Sequence, residues 1–486
     1  NKIRLVVLLL AACNSFALSQ VVTVNVAETL HENDATYAVY KAIEQCKTTN
    51  AKKIIFPKGK YDFRPDYATE KFVFVSNNTE GLKRFAFDLS GMQNIEIDGQ
   101  GSQFIFHGFI CPFLLDGASN IRMKNFSIDY SRTFHSEGKI IAVFQDSVDI
   151  QFSKEYPYNV INHQLHFFDG NNMECPWANL LEFDSIRKET AFMANDFYCG
   201  STPMVNELTP GTIRLYLKGI KGTRGNTFVF GAGHRNISAF TIYGSSDITI
   251  SDVDIFHCGG MGVVAQLSGN ISLKNVRITP SSGRVLSLTA DATHFVNCYG
   301  KITMENCLFE NQNDDATNIH GMYAHIDKII SENEISVSYI YGFDFMKQAD
   351  SIEFVEPLGY ITYGFNKVKG IRRINNQYSI VNFEKKLPIQ AKPGDAVATI
   401  GIYPDVIIRK CIIRNNRARG ILLGSRGKIL IEDNLFHTPG TAILLAGDAR
   451  TGAEQAGVRD LSITNNVFEN CNFSVGAWGG AAIEVR

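Results

Sequence analysis

The chain has 486 residues with 47 basic and 49 acidic side chains, so it can bury a large core and carries no charge excess toward nucleic acid or an anionic membrane. Glycine is common, at 40 residues, and proline scarce, at 13. With β-branched and aromatic residues spread throughout, this composition argues against a helical protein and for an all-β one.

The first 19 residues read as a signal peptide. Lys2 and Arg4 form a basic start and Leu5 to Ala12 an apolar stretch too short to span a bilayer. Ala17-Leu18-Ser19 resembles a small-residue cleavage site, so a secreted or periplasmic location is expected. Leu10-Ala11-Ala12-Cys13 also resembles a lipoprotein box, and membrane attachment is expected only if Cys13 is lipidated. Ten cysteines occur and none forms a CxxC pair, so most read as small buried hydrophobes rather than a metal site or a disulfide framework.

Asn33 to Thr48 reads as a helix, with Ala35, Val39, Ala42, Ile43 and Cys46 at helical spacing. A strand and Phe56-Pro57-Lys58-Gly59 follow, the opening expected of a capped parallel β-helix. An apolar-x-apolar-x-polar pattern then recurs. It starts at Ile95, Ile121, Ile248, Ile271, Ile302, Val406, Ile429 and Leu461. The steps from 248 to 271 and from 406 to 429 are each 23 residues, one rung of a right-handed parallel β-helix. Residues near 131–232 and 322–403 lack the pattern and read as two inserted antiparallel β-barrel-like domains, being far beyond loop length. The expected division is thus cap and first rungs over 20–130, insertion 131–232, central rungs 233–321, insertion 322–403 and final rungs 404–486. The last of these reads as stopping within a rung.

The stretch Asp291 to Gly321 carries the chemistry. Asp291 precedes Asp314 by 23 residues and Asp315 by 24, so one rung step stacks the three carboxyls on one surface. Crowded acids repel when ionised, and at least one should keep its proton. A protonated acid beside an ionised base is what glycoside hydrolysis needs. Competing readings are a hard-cation site and solvated turn residues. His294 and His320 read equally as rung histidines or substrate contacts, and Asn311, Asn313 and Asn318 read as turn formers, with Asn318 also expected to contact substrate. Gln266, 25 residues before Asp291, is expected beneath the acids. Arg417 and Arg419 are expected on one face of a strand, with Asp448 about one loop-bearing rung later and Glu454 following it, as partners for sugar hydroxyls.

Asp291-Ala292-Thr293-His294 together with Asn311 through Gly321 resembles glycoside hydrolase family 110, bacterial exo-acting α-1,3-galactosidases. The resemblance extends to Phe56-Pro57-Lys58-Gly59, Arg417-Ala418-Arg419-Gly420 and Ala446-Gly447-Asp448. It departs at Arg450 to Glu454, where the family's aromatic is missing. It implies a β-helix with inserted barrels and inverting hydrolysis without metal or cofactor. It also implies catalytic aspartates at Asp291, Asp314 and Asp315. The expected partner is an oligosaccharide or glycoconjugate ending in α-1,3-galactose, of blood-group-B type or linear, and a homodimer is the assembly considered. The alternatives are a polygalacturonase-like pectin hydrolase, then a polysaccharide lyase, and, in a different class, a non-catalytic glycan-binding β-helix.

Overall fold

The structure is a computed structural model that describes residues 21–24, 34–49, 51–78, 80–198, 203–340, 344–474 and 478–486. The expected signal segment and Cys13 lie outside the described residues.

All eight copies of the repeated pattern lie in one sheet of parallel strands. Ile95 pairs with Ile121, Ile121 with Ile248, Ile248 with Ile271 and Ile271 with Ile302. Ile302 then pairs with Val406, Val406 with Ile429 and Ile429 with Leu461. Residues far apart in sequence are therefore neighbours one rung apart, about 4.8 Å. Alternate apolar side chains of each copy point inward, so the core is a column of stacked like residues. Phe87, Phe113 and Phe240 show this, with ring centroids 4.3 Å and 4.8 Å apart.

In every copy but the first, which ends in Gly99, the polar residue that ends the copy makes the corner. Asp252, Asn275 and Asn306 have φ of 54°, 53° and 56°, a left-handed conformation that Asn and Asp tolerate better than other residues with a side chain. The Asn275 amide donates to Asp252 Oδ1 at 2.7 Å and the Asn306 amide to Asn275 Oδ1 at 2.7 Å, a ladder up the corner. Cys307 and Cys411 lie just after this corner rather than on the strands, and both are buried.

The helix α1 spans Thr36–Thr49 and buries Ala38, Val39, Ala42, Ile43 and Cys46 against the first rungs. The first interruption forms an eight-stranded sheet whose main strands run antiparallel between Ser136 and Ala232. The second forms a closed six-stranded antiparallel barrel between Ala324 and Thr399. No helix of the described residues is long and apolar enough to cross a membrane.

The corner ladder sets a stability expectation. Asn275→Ala loses both amide contacts and strains the left-handed turn, and should cost ~2 kcal/mol. Asn275→Gly loses only the contacts and should cost ~1 kcal/mol. Urea midpoints of the two variants against the parent chain measure the difference.

Candidate active site

Four short parallel strands carry the site: β1 (Val263–Gln266), β2 (Thr293–Val296), β3 (Thr317–Met322) and β4 (Ile421–Gly424). Val263, Thr293, Thr317 and Ile421 are in register. Ala265, Phe295, Ile319 and Leu423 point into the core, which turns His294, Asn318 and His320 outward. The residues just before these strands are stacked as well. The amide of Ala292 donates to the Asp315 carbonyl and that of Ala316 to the Arg419 carbonyl, at 3.0 Å and 3.1 Å. Asp291, Asp315 and Arg419 therefore occupy three successive rungs.

Each acid has a different partner. Arg419 forks onto Asp315, with Nε to Oδ1 at 2.8 Å and Nη2 to Oδ2 at 2.7 Å. The Arg419 backbone amide adds a third bond to Oδ1 at 2.9 Å. Arg235, on the segment returning from the first insertion, donates to Asp314 Oδ2 at 2.5 Å. The Asp315 amide donates to Asp314 Oδ1 at 3.1 Å. Asp291 has no arginine: its Oδ2 lies 2.6 Å from His294 Nδ1. His294 Nε2 lies 3.0 Å from His320 Nε2, and His320 Nδ1 lies 2.7 Å from the Gly321 carbonyl.

These partners set the protons. Burial, with the charge of Asp314 beside it, raises the Asp291 carboxyl well above the usual range, more than Arg235 and Arg419 lower it. Burial also acts on Asp314, but Arg235, Arg417 and Arg419 outweigh it and hold that carboxyl low. Burial pushes Asp315 up to about 7 against the pull of Arg419, with Asp314 and Asp291 adding to the rise. Three carboxyls within one rung step thus sit in three conditions, the arrangement that separates acid from base.

A cleft of about 290 Å³ is lined by Asn77, Asn179, His234, Arg235, Asn313 and Arg417, among others. Asn179 Nδ2, Asn313 Oδ1 and Asn318 Oδ1 are buried without hydrogen-bond partners. Asn179 comes from the first inserted sheet, and Asn313 and Asn318 from the rung of the double aspartate.

Other expected contacts are placed differently. Gln266 is fully buried; its amide donates to the Phe74 carbonyl at 3.0 Å and its oxygen accepts from Ser76 N at 2.5 Å. It pairs in register with Val296 and through it with His320, not beneath Asp291, because the chain between Ile278 and Thr293 loops out and lengthens that rung. Asn318 sits on β3 rather than in a turn. Arg417 and Arg419 lie in the turn before β4, not on a strand. Arg417 is 1% exposed and is held by Asp196, with Nε to Oδ2 at 2.7 Å. Asp448 caps its own turn, accepting from the amides of Arg450, Thr451 and Gly452. That turn presents Glu454, which accepts from Asn77 Nδ2 at 2.8 Å and Asn318 Nδ2 at 3.2 Å and lies 3.8 Å from His320. Gln455, beside it, is anchored on Glu353 of the barrel at 2.9 Å.

Sequence reasoning did not single out Arg235, Asp196, Asn77, Asn179 or Trp478. The guanidiniums of Arg417 and Arg419 stand 4.8 Å and 5.4 Å from the Trp478 ring. Trp478 is one of only two tryptophans, which was the one signal available for it.

Family models match in three places: GLAA-B beta-barrel domain I at residues 136–224, GLAA-B beta-barrel domain II at 340–397, and a right handed beta helix region at 396–486. Among curated proteins, the chain is 38% identical to Alpha-1,3-galactosidase A of Shewanella woodyi, covering 91% of this chain and 74% of that one. It is 31% identical to Alpha-1,3-galactosidase B of Bacteroides thetaiotaomicron, covering 98% of this chain and 80% of that one. The chain belongs to glycoside hydrolase family 110. It is therefore a glycoside hydrolase, and its β-helix with inserted β domains is the architecture of that family's models.

In this family 110 chain the Arg419–Asp315 fork is buried, so removing one partner leaves an orphan charge. Arg419→Ala should destabilise the fold by ~3–5 kcal/mol at pH 8. The Asp315 carboxyl is already raised above its unfolded value with Arg419 present, and rises further without it. A raised carboxyl binds a proton in the folded state that the unfolded chain has released, so its penalty grows as pH rises. The loss in Arg419→Ala should accordingly shrink toward pH 5, as thermal unfolding at the two pH values would show.

Proposed function

We propose that this chain is an exo-acting α-1,3-galactosidase. It removes terminal α-1,3-linked galactose from glycans of blood-group-B or linear type, with inversion at the anomeric carbon, through an acid/base set made of Asp291, Asp314 and Asp315. The observation that carries the reading is the cluster itself: carboxyls on adjacent rungs, one held low by Arg235 and two pushed up by burial. Inversion divides the work between a carboxyl that protonates the departing oxygen and one that takes a proton from water. The curated relatives named Alpha-1,3-galactosidase support the linkage.

The cleft walls suit a neutral sugar. On those walls Asn179 Nδ2 and Asn313 Oδ1 are a donor and an acceptor without protein partners, and hydroxyls can serve both kinds. The arginines at the site are each matched by a carboxyl: Arg235 by Asp314, Arg417 by Asp196 and Arg419 by Asp315. An anionic galacturonate would need a cation not already committed in this way, which disfavours the pectin reading. The basic and apolar opening of the chain supports export to where such glycans are met.

The test is NMR of a B-type trisaccharide and a linear α-1,3-galactosyl substrate during hydrolysis, with EDTA present. β-Galactose should appear first and mutarotate to α. Release of α-galactose first would overturn inversion, and no galactose from either substrate would overturn the specificity. Asp291→Asn, Asp314→Asn and Asp315→Asn should each lower kcat/KM by about 10²–10⁴-fold, the range for losing an acid or base. A non-catalytic glycan-binding protein would show no turnover to lose.

A further inference from the structure

The contacts that hold Asp291 constrain its protons more tightly than its burial does. Three short contacts run in series: Asp291 Oδ2 to His294 Nδ1 at 2.6 Å, His294 Nε2 to His320 Nε2 at 3.0 Å, and His320 Nδ1 to the Gly321 carbonyl at 2.7 Å. A carbonyl oxygen can only accept, so His320 Nδ1 carries a proton. The buried N···N contact needs one proton between two lone pairs, and so does the contact to Asp291. The chain therefore holds three protons. With three, it is neutral as a whole: a protonated Asp291 and two neutral rings, or an ionised Asp291 with one cationic ring.

We propose that Asp291, His294 and His320 form one proton relay that lets Asp291 act as a proton acceptor and pass the proton inward toward Glu454. This rests on the hydrolase reading above and adds positioning residues to it. Oδ1 of Asp291 has no hydrogen bond among the described residues, which leaves it to face the reaction. When Oδ1 takes a proton from the attacking water, the water O–H bond breaks and an Oδ1–H bond forms. The Oδ2–H bond then breaks as a His294 Nδ1–H bond forms. His294 can in turn release its Nε2 proton to His320 Nε2. Four protons now sit on the three residues, and the added positive charge rests on the histidines. His320 Nε2 is 3.8 Å from Glu454 Oε1, which accepts from Asn77 and Asn318. That carboxyl is placed to steady the charge.

The groups facing this relay are Asp314, Asp315, Arg235, Arg419 and Glu454. Burial lowers His294 to about 4, and lowers His320 as well, while the neighbouring Glu454 pulls both the other way. Both rings are therefore neutral at rest, free to take a proton only when the reaction supplies it.

Two experiments decide the matter. The first is ¹⁵N NMR of the histidine-labelled full chain, which reads tautomers without any turnover. His320 should carry its proton on Nδ1 and His294 on Nε2, and a His320 with a bare Nδ1 would overturn the relay. The second is the pH profile of kcat/KM in His320→Phe and His320→Gln. Glutamine still accepts from His294 Nε2 but cannot take its proton, whereas phenylalanine does neither. Both remove the site that shares the added charge, so the four-proton state forms less readily. The acidic limb of both should move down by about one pH unit, with glutamine keeping more of the activity on the plateau. An equal loss at every pH in both variants, with no shift of the limb, would mean a packing role and overturn the proposal. Expected tautomers in a chain that hydrolyses no α-galactoside would instead overturn the hydrolase reading, and a bare Nδ1 in an active enzyme would overturn only the relay.

Discussion

The fixed spacing between β-helix rungs is the constraint on which this site depends. Each rung is set about 4.8 Å above the last by backbone hydrogen bonds, so a side chain cannot move away from its counterpart on the next rung. Asp291 and Asp315 are held side by side on this lattice, and their repulsion must be met locally. The next rung meets it by placing Arg419 in the same column. Like stacking on like stabilises the interior, where Phe87, Phe113 and Phe240 overlap. On the outer face the same stacking sets carboxyl against carboxyl, which Arg419 relieves at Asp315 and a retained proton relieves at Asp291.

The two insertions complete what a β-helix face leaves open. The first returns to the rungs through Arg235, which holds Asp314, and sends Asn179 into the cleft wall. Asp196, beyond one of its strands, grips Arg417. The barrel leaves the rungs just after β3 and fixes Gln455 through Glu353, which places Glu454 beside His320. Each insertion thus supports the site as well as being a folded unit: the first leaves beside Asp314, and the second enters and leaves beside Gln455.

This division explains what could be read from the sequence. The strand pattern is local, so its eight copies and the corner residues Asn275 and Asn306 stand out without any structure, and all eight copies pair in one sheet. The double aspartate is legible for the same reason, because one rung step is short in sequence. Counting residues does not locate Gln266, since the loop before Thr293 lengthens that rung and breaks the count. Arg417 and Arg419 looked like an alternating strand because the spacing of two fits both a strand and the turn they occupy. Arg235, Asn77 and Trp478 reach Asp314, Glu454 and the Arg417–Arg419 pair from distant segments, and nothing in their own neighbourhood marks those destinations.

The contrast between arginine and histidine as partners carries the argument one step further. An arginine stays charged at any accessible pH, so a carboxyl it forks onto gains an opposite charge that cannot leave. Asp314 and Asp315 have that kind of partner. Asp291, in the same column, has His294, which is buried and lowered to about 4. A neutral imidazole can give up one proton and take another without a permanent charge entering the core. Had an arginine stood at position 294, its charge would pull the Asp291 carboxyl down as Arg235 does that of Asp314, with no proton to move. With histidine there, the charge of Asp291 depends on a proton that has somewhere to go. The Gly321 carbonyl fixes the direction of that path, because it can only accept.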